Sequence, residues 1–286
     1  MKFLGKLIML GISLPLFLSK GLYAEDSWSD YLKDRNCFFT DVNNPISTIK
    51  CKSGYIDSSS PDFPKFPMES SHFWDIDIKG NNIEDVSFLK NLKKIMNNFD
   101  ISDNNIIEVD DLKNVEYIGK SINLSNNPLI DISGLNNLKS AESIYISKTG
   151  IVDVDSFKKL RIIKSNLYLN KNRLKNINGL SNLIFIGGNL NLSENSLSDV
   201  NGLISLRKAS IIDLRGNYNL DNIFGLSNLV DVDYILIDNR IFRKMPKKGS
   251  SFCGERLYEK LSISGNGYLK NSYPIVRIAM AFCNKE

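Results

Sequence analysis

Along the middle of the chain the apolar positions keep a period far longer than a single helix or strand can set. Triplets of the form apolar-x-apolar recur as Ile76-Asp-Ile78, Phe99-Asp-Ile101, Ile122-Asn-Leu124, Ile144-Tyr-Ile146, Leu167-Tyr-Leu169, Leu190-Asn-Leu192, Ile212-Asp-Leu214 and Ile235-Leu-Ile237. Their second apolar members lie 23, 23, 22, 23, 23, 22 and 23 residues apart, the mark of a repeat architecture. Alternation within each triplet predicts a short strand with two side chains buried and one outward. Three residues further on stand Asn81, Asn104, Asn127, Asn172, Asn195 and Asn217, the column lapsing at Thr149 and Arg240. A carboxamide both donates and accepts, so this column is expected to join buried backbone groups of neighbouring turns. Later apolar residues at three-residue spacing, such as Val200, Leu203 and Leu206, suit a tight helical turn packing from the opposite side. One coil is too small to bury its own core, and stacked neighbours complete it.

The 22-residue intervals have a local cause. From Ala141 to Ile144 and from Ala209 to Ile212 the step is three, whereas Ile118 to Ile122, Ile163 to Leu167 and Ile186 to Leu190 take four, with Gly119 and Gly187-Gly188 inside two of the longer steps. The slack is therefore expected in the loop before the strand.

The phrases LNLSENSLSDVNGLISL, LYLNKNRLKNINGLSNL and INLSNNPLIDISGLNNL resemble the leucine-rich-repeat family, specifically the short bacterial type of secreted internalin-like proteins. The resemblance covers about residues 74 to 242. It implies an α/β solenoid, a horseshoe with a parallel concave β-sheet, short helical or 3-10 turns on the convex side, and a surface used for binding proteins or glycans. Eight units fill 74–242. Residues 25–73 and 243–286 are read as caps over the two exposed ends of the stack.

Residues 1–24 change the picture of charge and compartment. Lys2 and Lys6 lead an apolar run from Leu7 to Leu18, and Ala24 offers a small residue for cleavage. This is the form of a secretory signal peptide, and its run falls short of the roughly 20 residues that span a bilayer. Removing it lowers the formal charge from +4 to +1, with +7 on 240–286 and −6 on 25–239. Whole-molecule attraction to nucleic acid or anionic lipid is then weak. In an oxidising compartment Cys37, Cys51, Cys253 and Cys283 read as two disulfides. The long gap between the pairs favours Cys37 to Cys51 and Cys253 to Cys283, each stapling a cap by roughly 3 to 4 kcal/mol in the chain-entropy model. Tyr31 and Leu32, with Trp28, suit a short amphipathic helix in the first cap. CGERLYEKLS suits another in the second.

Candidate chemistry is sparse. His72 is the only imidazole, and no Gly-rich phosphate loop, metal-spaced cluster or spaced acid/base pair accompanies it. The expectation is a non-enzymatic protein with no cofactor and no catalytic residues, monomeric, secreted or periplasmic, and not inserted in a membrane after cleavage.

What remains is the outward column of the sheet: Asp77, Asp100, Asn123, Tyr145, Tyr168, Asn191, Asp213 and Leu236. Exposed aromatics beside mixed charge have the composition of interface anchors. The partner-binding set is therefore read as Tyr145 and Tyr168 with Lys148, Lys171, Glu194, Arg215, Asp213 and Tyr234. Asp75, Asp77, Asp100 and Asp103 are read as a solvated acidic rim, with attraction of a basic partner or a weakly held Ca²⁺ as the alternative. A structural or assembly role in the cell envelope is the alternative to recognition of a protein or glycan.

Overall fold

The structure, a computed structural model, describes residues 31–32, 34–35, 37–39, 47–54, 56–60, 63–64, 71–238 and 261–264. The expected signal segment, Trp28 and the Cys253 to Cys283 pair lie outside the described residues, as does most of the second cap.

The triplets form strands of one sheet. From Ser47–Cys51 it runs parallel through His72–Asp77, Phe99–Asp100, Ser121–Asn123, Ser143–Tyr145, Leu167–Tyr168, Leu190–Asn191, Lys208–Asp213 and Asp231–Asp238 to Leu261–Ser264. Ile76, Phe99, Ile122, Ile144, Leu167, Leu190, Ile212 and Ile235 stand in register, one per coil. All are buried, with Leu124, Leu169 and Leu192, in one continuous core. Opposite the sheet, each coil makes a short 3-10 turn: Ser87–Leu89, Asp110–Leu112, Ser133–Leu135, Asp155–Lys159, Asn178–Leu180, Asn201–Leu203 and Phe224–Leu226. Their leucines, with Phe88 and Phe157, close the core from the convex side, whereas Phe224 is exposed.

The sheet reaches beyond the span of regular intervals at both ends. Ile49 is in register with Ile76, and Ile56 N–H donates to Asn81 Oδ1 at 2.8 Å, much as Ile83 N–H donates to Asn104 Oδ1 at 3.1 Å. Residues 47–56 thus begin a coil of the same plan. At the other end Ile237 pairs with Ile263, so the tail of CGERLYEKLS enters a strand. Both junctions exceed the 23-residue step, which hides them from a search for a fixed period.

The first cap closes the stack with aromatic rings and a covalent bond. Tyr31 and Leu32 are buried in a helical segment. Tyr31 meets Phe63 edge-on at 5.5 Å, and Phe63 meets Phe88 at 5.7 Å. Cys37–Phe39 pairs antiparallel with Ser47–Cys51, placing Cys37 opposite Cys51, and the two form a disulfide.

Hydrogen bonds between coils run through the asparagine column. Asn195 Nδ2 donates to Leu192 O of its own coil at 3.0 Å and to Leu169 O of the preceding coil at 2.9 Å, while its Oδ1 accepts from Leu174 N–H at 3.1 Å. Asn104, Asn127 and Asn217 repeat the pattern. Ile78 O, Ile101 O, Leu169 O and Leu192 O each receive two amide donors, one from each of two coils. At Thr149 the column continues in reduced form, its N–H and Oγ1 both donating to Asn172 Oδ1 at 2.8 and 2.7 Å.

Close approach of coils explains the glycines. A Cβ on Gly119 or Gly187 would lie 1.9 or 2.0 Å from the carbonyl oxygen of Met96 or Lys164. At these two steps the position admits no side chain, while Ile163 to Leu167 makes the same four-residue step with Lys164, Ser165 and Asn166.

Asn195→Ala leaves Leu174 N–H without its acceptor and halves the amide donors on two buried carbonyls. A loss of about 2 to 3 kcal/mol is expected in urea unfolding. Exposed Asn178→Ala should stay within about 0.5 kcal/mol, and equal effects of the two would refute the role given to the column.

Candidate functional site

Outward side chains of the strands form a row at the strand spacing of about 4.8 Å. Tyr145 and Tyr168 are register partners on adjacent strands. Their rings meet edge to face, 5.4 Å between centroids and 88° between planes, the arrangement an aromatic quadrupole favours. Both are half-buried, and Asn189 Nδ2 donates to Tyr168 Oη at 3.5 Å.

The charged members of the set are less free than their columns suggest. Asp213 is 7% exposed and takes both Arg215 Nε at 2.9 Å and Arg215 Nη2 at 2.5 Å. This fork holds the guanidinium against its own strand; the hydrogen bond to Asp213 is the main reason the Arg215 pKa lies above its ordinary value, burial opposing it. Lys171 and Glu194 approach to 3.5 Å at the exposed edge, where such a pair contributes at most about 1 kcal/mol. Tyr234 is 56% exposed but three strands from Tyr168, about 14 Å along the stack. The structure therefore groups Tyr145 with Tyr168, Lys171 with Glu194 and Asp213 with Arg215, and leaves Tyr234 apart.

Lys148, Lys171 and Glu194 share a left-handed backbone with Asp103 and Asn126, at φ between 54° and 58°. Such a conformation is costly for a residue bearing a Cβ. Its recurrence directly before the ladder position makes it a property of the coil rather than of a site. Beside Lys148, where the column passes through Thr149, a groove of about 560 Å³ is lined by residues including Asn105, Asn126, Ile130 and Arg173.

The acidic rim is mostly internal support. Asp75 is 4% exposed, and its Oδ1 accepts from Asn98 N–H and Asn97 Nδ2 at 2.9 Å while Lys50 stands 3.3 Å from Oδ2. Burial opposes the charge, but these donors outweigh it and hold the Asp75 carboxyl below its ordinary value. Asp100 accepts from Ser102 N–H and Oγ. Among the described residues, Asp77 Oδ1 is buried with no hydrogen-bond donor. Among the described residues no three His, Cys, Asp or Glu side chains converge to hold a metal ion, so the rim lacks the geometry of the Ca²⁺ site considered above. His72 Nδ1 lies 2.9 Å from Ser71 Oγ, and among the described residues no carboxylate orients its ring.

A second amide column was missed in the sequence. Asn114, Asn137, Asn182 and Asn228 each donate Nδ2 to a carbonyl 24 residues earlier, at Lys90, Lys113, Lys158 and Ile204, at 2.7 to 2.9 Å. Its signal was the asparagine that stands before the apolar residue closing each of these convex turns.

Stacked coils with a parallel inner sheet, a buried amide ladder and outer 3-10 turns define a leucine-rich-repeat solenoid. No protein-family model and no curated protein sequence matches the chain. Among solved structures it is similar to internalin C2 of Listeria monocytogenes, with a TM-score of 0.53 at 21% identity over 66% of this chain and 80% of that one. An internalin of the same organism gives 0.31 at 16% identity over 93% and 95%. A leucine-rich-repeat protein of Leptospira interrogans gives 0.41 at 16% over 58% and 44%. The fold is that of an internalin-like leucine-rich-repeat protein. No described helix is long and apolar enough to cross a membrane.

The depressed Asp75 pKa fixes a pH dependence. Its stabilisation is present above the unfolded carboxyl value of about 3.9 and is lost as pH falls through the lower folded value. In urea melts from pH 7 to pH 2.5, Asp75→Asn should be less stable than wild type at neutral pH, with the gap closing only below about pH 4. A gap independent of pH would show that the charge contributes nothing.

Proposed function

We propose that the protein is an exported, non-enzymatic recognition module that binds a macromolecular partner, a protein first of all, on the concave face around Tyr145 and Tyr168. The observation that carries this reading is the edge-to-face tyrosine pair, half-exposed on adjacent strands in the middle of the sheet. Neighbouring charges are largely matched within the chain, so the rings are the groups there with most to gain from being covered. Aromatic anchors on a rigid sheet lose little conformational freedom on binding.

The Cys37–Cys51 disulfide supports export, since such bonds persist outside the reducing cytosol. Lys148, Lys171 and Glu194 supply the polar rim, and Arg215 with Asp213 a preformed ion pair further along the stack. Tyr234 belongs to the rim of a wide partner rather than to the anchor.

Affinity capture from cell-surface and envelope extracts, with wild type and with Tyr145→Ala/Tyr168→Ala, tests the reading. The double variant should lose about 30-fold or more in affinity for the captured partner, the hot-spot level of about 2 kcal/mol. Its own fold should weaken by no more than about 1.5 kcal/mol from the lost ring pair. Unchanged affinity would remove this face from recognition.

A further inference from the structure

The overall charge of 25–239 hides a lateral segregation. Seven ascending stretches run from the 3-10 turns to the following concave strands; the first six, at 90–98, 113–120, 136–142, 158–166, 181–189 and 204–210, carry twelve Lys or Arg against two Glu, while the seventh, at 227–233, carries Asp231 and Asp233 and no cation. The matching descending stretches, at 81–89, 103–112, 126–135, 148–157, 171–180 and 194–203, carry four against eleven Asp or Glu. One flank of the solenoid is basic and the other acidic.

The basic flank is exposed and ordered. Lys90, Lys93, Lys94, Lys113, Lys120 and Lys164 are solvent-facing and, among the described residues, make no ion pair. Their backbone is stacked coil on coil: Glu116 N–H donates to Lys93 O at 3.0 Å, Lys139 N–H to Glu116 O at 2.9 Å, and Arg207 N–H to Ile184 O at 2.8 Å. Corresponding residues therefore recur at a pitch of about 4.8 Å along the stack, and in the column Lys93, Glu116, Lys139, Arg161, Ile184 and Arg207 four of the six are cations. At the first coils they border a depression of about 450 Å³ lined by His72, Met96 and Tyr117 with Lys94, Lys139 and Glu116.

We propose that this flank is a second binding surface, distinct from the concave face, for a linear sulfated polysaccharide lying along the stack. A row of cations one coil deep matches a single polyanionic chain rather than a broad sheet of charge. Ten of the twelve cations are lysines, point charges that can pair with separate anionic groups along a chain. The stretch 181–189 carries no charge at all, an interruption that a polymer with clustered sulfates accommodates and a uniformly charged nucleic acid does not. The depression offers the apolar rings of Tyr117 and His72, with Met96, to the face of a sugar ring between flanking lysines. The disulfide supports a setting where such glycans occur.

The test is binding of the full chain to immobilised heparin as a function of NaCl. Lys93→Glu/Lys94→Glu should lower affinity by about tenfold or more at physiological salt and reduce the slope of log K against log salt by about 0.7 for each sulfate left unpaired. Arg173→Glu/Lys175→Glu, the same charge change on the opposite flank, should shift it by less than about threefold, an effect of net charge alone. Lys93→Gln/Lys94→Gln gives the same reading without charge reversal, and melting curves by circular dichroism check that each variant is folded. Equal losses from the two flanks, or no loss from Lys93 and Lys94 with retention carried by the basic residues 240–286, would overturn the proposal. Binding to fully desulfated heparin, to phosphatidylserine vesicles or to oligo(dT) as tight as to heparin would also overturn it.

Discussion

Where each coil leaves the inner sheet, its backbone is enclosed by the coil before and the coil after, and water cannot reach it. Turning there without partners would strand several polar groups in the core, at a cost that hydrophobic burial of one small coil cannot offset. The asparagine column solves this with one side chain per coil. Asn195 binds carbonyls of two coils and accepts an N–H of the preceding one, so its bonding is complete only when both coils are present. The left-handed residues just before it, Asp103 through Glu194, follow from the same turn. Stacking is thus required twice, by apolar side chains and by backbone polarity, and the leucine core adds to a register the amides already impose.

With the stack fixed, the face of a residue is decided by its place in the coil. Inward places carry Leu, Ile, Val and Phe with little variation, while outward places change identity from coil to coil. On the concave face most polar side chains satisfy one another: Asp75 with Asn97 and Lys50, Asp100 with Ser102, Asp213 with Arg215. Such closure makes the sheet rigid and leaves little polar valence for a partner. The tyrosine pair is different, since the apolar area of its rings is not fully covered by the chain.

The architecture was legible because its determinants are local and repeated. Triplets, asparagines and the glycines of the long steps each state the same period, and the sheet, the turns and the ladder stand where that period places them. Two strands escaped it. Residues 47–51 and 261–264 join the sheet across longer connections, and a fixed interval cannot find them. The site was legible only as a map of columns. That Tyr145 and Tyr168 are adjacent follows from register; that Asp75 and Asp213 are buried and that Arg215 folds back on Asp213 does not. Those outcomes depend on rotamers and on which donors a neighbouring coil brings within reach, as Asn97 does for Asp75. The second amide column at Asn114, Asn137, Asn182 and Asn228 was present in the sequence but looked like ordinary turn composition.

Segregation of charge between the flanks adds a step that packing alone does not explain. Core columns constrain only inward positions, so Lys and Glu could alternate from coil to coil on each flank. Alternation would be favoured, because like charges one coil apart repel by somewhat under 1 kcal/mol in water at about 5 Å, less with salt. The chain instead keeps one sign along most of the ascending flank and relieves it only locally, as at Glu116 between Lys94 and Lys139. A small repulsion repeated over several coils is tolerable in a solenoid whose stability comes from its interior. Among the described residues it also leaves Lys90, Lys93, Lys94, Lys113, Lys120 and Lys164 without an ion pair at fixed places on the flank, which a flexible chain could present only by giving up conformational entropy. The same stacked core fixes the tyrosine pair on the concave face and the lysines on the flank, so both proposed surfaces depend on one register.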